Sequence, residues 1–225
     1  MKKLFLLLGI VTQSLFGTLI SNVSIAGNAT STGINTSGAT LLTAYLVDGD
    51  AGVAPALSDS KGNSWTLAVT GQDLYFYYAC TALSVGAGHT FTISAGGGLN
   101  TANIQAWSGF TCPHDKTSIS GHNFASTIQP GSITPSANGE LLVTGLYTAN
   151  TMPPFTINSG FTVLVSIPGF TGGFGNGMAV AYLEQMTAAA INPTWTLGSA
   201  SFIQTAIFSF PVNPVGTGAS QTNVF

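Results

Sequence analysis

The sequence predicts an all-β protein, an antiparallel β-sandwich or jelly roll. Its 225 residues include 28 glycines and 10 prolines, which divide the chain into short runs separated by turn signals. Those runs are rich in apolar, β-branched and aromatic residues, as strands are. No segment carries a sustained helical period with capping residues at its ends. Many short strands joined by glycine-rich turns are typical of sandwiches.

Each run between turn residues predicts one strand. The segment YLEQMTAAAI at 182–191 is the exception, because its residues favour a helix of about two turns. The predicted strands are Leu19–Ile25, Thr40–Val47, Ser64–Thr70, Leu74–Cys80, His89–Ala95, Ala102–Ser108, Glu140–Tyr147, Phe161–Ile167, Met178–Glu184, Thr194–Leu197 and Phe202–Phe210.

The composition excludes several classes of partner. Only 5% of the residues are charged, against about 25% in an average protein, and arginine is absent. A net charge of −3 with so few lysines leaves no basic surface for nucleic acid. The hydrophobic content of 45% excludes a disordered chain. Such a surface suits proteins that pack into assemblies or that lie outside the cell among glycans.

The chain is expected to form one β-sandwich domain, residues 19–211, between an apolar N-terminal segment, 1–18, and an extended tail, 212–225. Two lysines followed by Leu4–Val11 resemble a secretory signal, cleaved after Gly17 or after Ala26. The alternative is that this segment remains as an arm of the mature protein. The apolar run is too short for a stable membrane span.

Two of the three tryptophans are predicted to be core residues. In a strand, side chains two residues apart point the same way. Trp65 therefore shares a face with Leu67 and Val69, and Trp195 shares one with Leu197.

Trp107 is predicted differently, because its strand neighbours on the same face are amides. If the runs 74–80, 89–95 and 102–108 form a meander, two tyrosines join it on one outer face. Aromatic rings beside amides suit a sugar, which offers a C–H face for stacking and hydroxyls for hydrogen bonds. The alternative is packing of this face against a second layer or a neighbouring subunit. The candidate glycan-binding residues are Tyr75, Tyr77, Asn103, Gln105 and Trp107.

The two cysteines, Cys80 and Cys112, allow a single pairing. In an exported protein they are expected to form a disulfide, and otherwise they are two buried thiols.

Candidate metal ligands are few. Asp48 and Asp50 have the spacing that opens many calcium loops, and Asp59 is close in sequence, but the closing ligands are missing. An aspartate- and glycine-rich turn is the preferred interpretation. We therefore predict no resident metal ion at this position.

Two histidines and an aspartate lie close together in the segment CPHDKTSISGH at 112–122. They are His114, Asp115 and His122, whose spacing matches no standard zinc site. A polar loop is the preferred interpretation of this segment.

No catalytic motif is found. The chain lacks a GxSxG elbow, and its glutamates, Glu140 and Glu184, lie in different strand runs rather than in one acidic pair. GGFGNG at 172–177 is followed by neither a lysine nor a helix start, so it does not predict a phosphate-binding loop. We therefore expect a protein that is not an enzyme and needs no cofactor.

A string of motifs resembles a group of β-sandwich modules that recur in bacterial exported proteins and in phage structural proteins. The resemblance covers about residues 20–210 and implies a single all-β domain; it brings no activity, ligand or catalytic residue. The motifs are NTSGATLLTAYLV (35–47), SDSKGNSWT (58–66), GHTFTI (88–93), AWSG (106–109), PGSITPSANGELLVTGL (130–146) and AYLEQ…NPTWT (181–196).

These observations predict a structural protein, a subunit of a virion surface or of another extracellular assembly that associates with itself or with other subunits. A secreted carbohydrate-binding module is the alternative.

Overall fold

A computed structural model describes residues 17–48, 54–94, 101–149, 154–168 and 176–213. The protein is all-β, as predicted, and its sheets are antiparallel and packed face to face. The strands are β1 (Thr18–Ala26), β2 (Leu41–Val47), β3 (Ala56–Asp59), β4 (Thr66–Thr70), β5 (Leu74–Ala79), β6 (Phe91–Ser94), β7 (Thr101–Ser108), β8 (Lys116–Ile119), β9 (Asn123–Ile128), β10 (Glu140–Thr148), β11 (Thr156–Ile157), β12 (Thr162–Ile167), β13 (Gly177–Gln185) and β14 (Trp195–Phe210).

Two sheets form the sandwich. The first has the order β1-β7-β2-β5-β4, and the second has the order β11-β14-β10-β13-β12, with β8 and β9 also paired to β14. A separate two-stranded sheet of β3 and β6 packs on the outer face of the first sheet, where Phe91 and Ile93 join its apolar residues. Strand β2 therefore lies between β5 and β7, which are close to each other in sequence but do not pair.

The second half of the chain repeats the topology of the first. The order β7-β2-β5-β4 in the first sheet corresponds to β14-β10-β13-β12 in the second, and the pairing of β3 with β6 corresponds to that of β11 with the start of β14. The turns before β2 and β10 each contain a glycine with positive φ, Gly38 at 83° and Gly139 at 81°. The sequences LLTAYLV (41–47) and LLVTGLY (141–147) occupy corresponding strands. The protein is thus built from two copies of one strand unit.

The two copies face each other about an approximate two-fold axis. Strand β7 contacts β13 across the sandwich, and the corresponding pair, β14 and β5, is also in contact. The pairs β2 with β13 and β10 with β5 show the same reciprocity. Reciprocal contacts of this kind are the signature of an isologous interface, here formed within one chain.

The edge strands carry the same irregularity in both copies. In the pairing of β4 with β5, a β-bulge lies between Leu67 and Val69. In the pairing of β12 with β13, a bulge lies between Val163 and Val165, at the corresponding position. A bulge interrupts the row of free backbone groups on an edge strand and so disfavours pairing with another chain.

Apolar residues fill three layers rather than one. The inter-sheet core lies between the two sheets and contains Tyr45, Phe76, Trp107 and Phe208. A second cluster covers the outer face of the first sheet, and a third covers the outer face of the second sheet. Every residue of β2, β5 and β10 is consequently buried. A strand that is covered on both faces has no solvent-exposed face, so its sequence does not alternate between polar and apolar residues.

Several predicted elements are wrong. The helix at 182–191 does not form, because residues 177–185 are strand β13, paired with β10 and β12. The meander of 74–80, 89–95 and 102–108 does not form either, since β6 pairs with β3 instead.

Other differences concern strand boundaries and the predicted polar loop. The expected strands Thr194–Leu197 and Phe202–Phe210 are parts of one strand, β14, which continues through Gly198 with a register shift. The segment 112–122, expected to be a polar loop, contains β8, and β9 follows it.

The two ends of the predicted domain are partly described. Strand β1 pairs along the whole of β7, so cleavage after Ala26 would remove a strand of the first sheet, whereas cleavage after Gly17 would leave that strand intact. At the other end, Val212 bridges to Phe110, and the amide of Asn213 donates to the carbonyl of Gly109 at 2.7 Å. The apolar run Leu4–Val11, residues 172–175 of the glycine-rich segment 172–177 and the tail beyond 213 lie outside the described residues.

Candidate functional site

The predicted glycan-binding face is not assembled. Trp107 is fully buried in the inter-sheet core, where its ring lies 5.2 Å from that of Tyr182. Tyr75 and Tyr77 point to the opposite face of the first sheet and are 1% and 7% exposed. The prediction that the three rings share one outer face is wrong, because Trp107 points into the inter-sheet core while Tyr75 and Tyr77 point to the other face, which a second apolar cluster covers.

The two amides of the predicted face are buried as well, and they bond within the protein. The Thr43 hydroxyl accepts from the Trp107 indole at 2.8 Å and donates to the Gln105 carbonyl oxygen. The Gln105 amide donates to the Asn103 backbone carbonyl at 2.8 Å, and the Asn103 amide donates to Ser24 Oγ at 3.0 Å. This chain satisfies the polar groups of the first sheet and leaves none of these amides exposed to a ligand.

The tryptophan predictions for Trp65 and Trp195 have different outcomes. Trp195 is fully buried, and Leu197 joins the same cluster, as predicted. Trp65 is half-buried at the edge of the outer cluster of the first sheet. The bulge in β4 reverses the alternation after it, so Val69 packs against the inter-sheet core while Leu67 is 39% exposed.

The motif around Trp65 is organised by one carboxylate, that of Asp59. It accepts hydrogen bonds from the indole of Trp65 at 2.7 Å, the imidazole of His89 at 2.9 Å and the backbone amide of Lys61 at 2.8 Å, and from Asn63. Burial alone would raise the pKa of Asp59, but these hydrogen bonds outweigh it and hold the pKa below its ordinary value. The carboxylate therefore fixes the turn that precedes β4.

His89 links this carboxylate to a hydroxyl, since its other ring nitrogen lies 2.9 Å from Thr36 Oγ1. The order hydroxyl, imidazole, carboxylate is that of a catalytic triad. The side chains of His89 and Asp59 are both completely buried, however, and Thr36 is also bonded to Gly86. A substrate cannot reach the hydroxyl, so the geometry indicates a structural lock.

The predicted polar residues at 114–122 are separated in the structure. His114 packs against the rings of Tyr78 and Phe208, and burial lowers its pKa. Asp115 accepts from Lys116 Nζ and Ser136 Oγ, each at 2.9 Å. His122 lies elsewhere, beside Asp73. These three residues do not form one site.

The two glutamates lie on neighbouring strands but on opposite faces. Glu140 is paired with Gln185, and Glu184 is paired with Leu141. Because Glu184 and Gln185 are consecutive in β13, their side chains point to opposite faces of the sheet, and so do those of Glu184 and Glu140. Burial raises the pKa of both carboxyls. They cannot flank one glycosidic bond from this arrangement.

The candidate calcium ligands are only partly described. Asp48 is fully buried at the end of β2, and its backbone amide donates to the carbonyl of Asp73. Asp50 lies outside the described residues. Across the described ranges, no three histidine, cysteine, aspartate or glutamate side chains are placed to hold a metal ion together.

The cysteines are joined in a disulfide between Cys80 and Cys112, whose Cα atoms are 6.0 Å apart. The bond ties the end of β5 to the segment that leaves the first sheet for β8.

Exposed aromatic rings occur together at one place, which the sequence analysis missed. We call the three residues His122, Phe124 and Phe202 the aromatic patch. Phe124 is 63% exposed and Phe202 is 50% exposed, and their rings make an edge contact at 5.2 Å. The ring of His122 stacks on that of Phe202 at 5.3 Å with an interplanar angle of 11°.

The aromatic patch continues the inter-sheet core beyond the edge of the first sheet. In β14, Phe202 points the same way as Ala206 and Phe208 of that core. Gln204, between them, accepts from the backbone amides of Gln72 and Asp73 in the turn that ends the first sheet. Past this turn no strand of the described first sheet lies over β14, so the rings face solvent.

A carboxylate lies at the base of the patch. Oδ2 of Asp73 is 3.2 Å from Nε2 of His122, and the His122 ring also lies 5.8 Å from that of Tyr147. Burial raises the pKa of Asp73, and Asp48 adds to the rise, while His122 opposes it. The His122 ring thus lies between the ring of Phe202 and the carboxylate of Asp73.

A cleft lies at the end of the first sheet opposite the aromatic patch. This cleft of about 310 Å³ opens between the start of β4, the end of β5 and the disulfide. Its walls include Ser64, Thr66, Tyr78 and Thr81.

Comparison with protein-family models, with curated proteins and with solved structures finds no match to this chain. Within the residues described, no helix has the length and apolar character needed to cross a membrane.

Proposed function

We propose that this protein is a non-enzymatic structural module that associates with further copies of itself through the aromatic patch. The observation that carries the proposal is the pair of exposed rings, Phe124 and Phe202, which contact each other on the surface. Clustered exposed aromatic residues are typical of interface centres.

The charge of the chain supports a second copy as the occupant. A net charge of −3 gives little repulsion between identical molecules. The two phenylalanine rings of the patch carry no charge, and the carboxylate beside them, that of Asp73, lies against the His122 ring, so two copies of the patch can meet without like charges opposing each other. The bulges in β4 and β12 disfavour edge-to-edge pairing with another copy at those two strands.

The proposed setting is a virion surface or another extracellular assembly. Support comes from the low charge, the disulfide between Cys80 and Cys112, and the resemblance of the sequence motifs to exported and phage structural modules. The buried Thr36–His89–Asp59 lock and the separated glutamates support a role without catalysis.

The test is the mass of the protein in solution, measured by sedimentation over a range of concentrations. In a symmetric dimer each residue contributes twice. Phe202 is already half-buried, so burying the rest of its ring stabilises the dimer by about 1–1.5 kcal/mol per copy. Phe202→Ser should therefore raise the dimer dissociation constant by about 30-fold to 150-fold.

Met186→Ser is the matched control, because Met186 is also apolar and 55% exposed but lies outside the patch, after the end of β13. It should leave the association unchanged. A wild-type protein that stays monomeric at high micromolar concentration contradicts the proposal, and so does an association that both variants weaken equally.

A further inference from the structure

The cleft beside the disulfide is lined by hydroxyl groups that the fold does not use. Ser64, Thr66, Thr81 and the phenol of Tyr78 all contribute to its walls. Among the described residues, none of these four side chains makes a hydrogen bond to another protein group. Hydroxyls inside the sheets, such as that of Thr43, are bonded within the protein. Four residues whose hydroxyls have no protein partner among the described residues thus line one concavity.

We infer that this cleft binds a neutral sugar ring. A hydroxyl can both donate and accept a hydrogen bond, and so can each hydroxyl of a sugar, so the two can pair in either direction. No carboxylate, ammonium or imidazole is among the cleft's lining residues, so a charged ligand would lose hydration there without gaining a counter-charge. The volume of about 310 Å³ lies at the lower end of the range for small-molecule sites, which fits one ring.

The walls of the cleft are held in place before any ligand arrives. The disulfide fixes Cys80, next to Thr81, against the segment on the far side of the cleft. Tyr78 belongs to the inter-sheet core, where its ring contacts His114 and Phe210, and it is 9% exposed. Preorganised walls reduce the entropy lost on binding.

This site is independent of the proposed association. Strand β5 starts next to Asp73, at the base of the aromatic patch, and ends next to Cys80, at the cleft. Seven residues of extended chain separate these two ends by about 23 Å. The original prediction of a carbohydrate-binding module is therefore proposed at a different place, since its five residues are buried.

The experiment is a titration of the full chain followed by NMR, with glucose, galactose, mannose and N-acetylglucosamine as probes. Glucuronate and glucosamine serve as the charged comparators. We expect saturable millimolar binding of at least one neutral sugar and weaker binding of both charged ones. Thr66→Val, Ser64→Ala and Tyr78→Phe each remove one hydroxyl, and each should raise the dissociation constant about threefold to tenfold.

Thr70→Val is the matched control, because Thr70 lies at the other end of β4, outside the cleft. Thr66 and Ser64 are exposed, so their variants retain the fold even if Tyr78→Phe lowers stability. Absence of saturable binding for every neutral sugar overturns the inference, as does glucuronate binding as tightly. If Phe202→Ser abolishes sugar binding and Thr66→Val retains it, the sugar binds at the aromatic patch. That result overturns the inference about the cleft but not the proposal that the patch is a binding surface.

Discussion

The contact between Tyr45 and Gly145 tests how the two copies of the strand unit fit together. The two residues occupy corresponding positions of β2 and β10, and they meet across the inter-sheet core. The Tyr45 hydroxyl donates to the carbonyls of Val143 and Ala206 at 3.0 and 3.1 Å, and Phe76 holds its ring at 4.6 Å. A methyl group at position 145 would overlap the ring of Tyr45.

Gly145→Ala should consequently destabilise the protein. The ring has no free direction in which to move, so the cost lies at the upper end of the overpacking range, about 3 kcal/mol. For a domain of this size that corresponds to a fall in Tm of about 6–12 °C. Thermal and urea unfolding of the variant measure this change.

The matched control is Gly198→Ala. The added methyl meets nothing within 4 Å there, so the substitution should be neutral or stabilising by up to about 1 kcal/mol. In a Tyr45→Leu background the smaller side chain should relieve the overlap and reduce the cost of Gly145→Ala by about 2 kcal/mol. A cost for Gly145→Ala below about 0.5 kcal/mol, or an equal cost in both backgrounds, would refute this reasoning.

Three further changes test the disulfide and two buried carboxyls. Replacing Cys80 and Cys112 by serine removes a covalent link between residues 32 positions apart, so it should lower the free energy of unfolding by about 4 kcal/mol. Urea unfolding measures this loss, and a loss below about 1 kcal/mol would contradict the prediction. Asp59 has a lowered pKa in the folded protein, so its stabilisation is complete above the unfolded value of about 3.9 and is lost as pH falls through the folded value. Asp59→Asn should flatten acid unfolding in that range, and an unchanged acid profile would disprove the role of the carboxylate. Burial raises the pKa of Glu140 in the folded protein, so the free energy of unfolding falls as the pH rises from the ordinary pKa of a glutamate through the raised one. The Glu140→Gln variant should lack this fall, and at neutral pH it should unfold at a higher urea concentration than the wild type.

The fold class follows from the sequence because turn residues and apolar runs report local structure directly. The predicted strand Met178–Glu184 is confirmed within β13, whereas the helix predicted over the overlapping residues 182–191 does not form, because pairing with β10 and β12 on both sides overrides the local preference of these residues. Strands β8 and β9 are short and polar, so their runs resemble loops until β14 provides a partner. The repeated unit is visible as Leu41-Leu42 and Leu141-Leu142 only once the pairing registers show that they correspond.

The candidate sites depend even more on tertiary contacts. The alternation in β5 and β7 correctly separates two faces, but it cannot show that both faces are covered, and this burial is what removes Tyr75 and Trp107 from any surface. The aromatic patch joins β9 to β14, whose residues 124 and 202 become neighbours only through strand pairing. In the sequence, these exposed phenylalanines cannot be distinguished from buried ones.

The most direct test of the proposed association is cross-linking at the aromatic patch. Phe124→Cys places a thiol at the more exposed phenylalanine of the patch, and Met186→Cys places one at an exposed apolar residue outside the patch. If copies meet patch to patch, mild oxidation should convert the first variant rapidly into a covalent dimer, at a concentration where the second stays monomeric. Equal cross-linking of both variants, or an assembled wild type whose Phe124→Cys variant does not cross-link, would contradict the account.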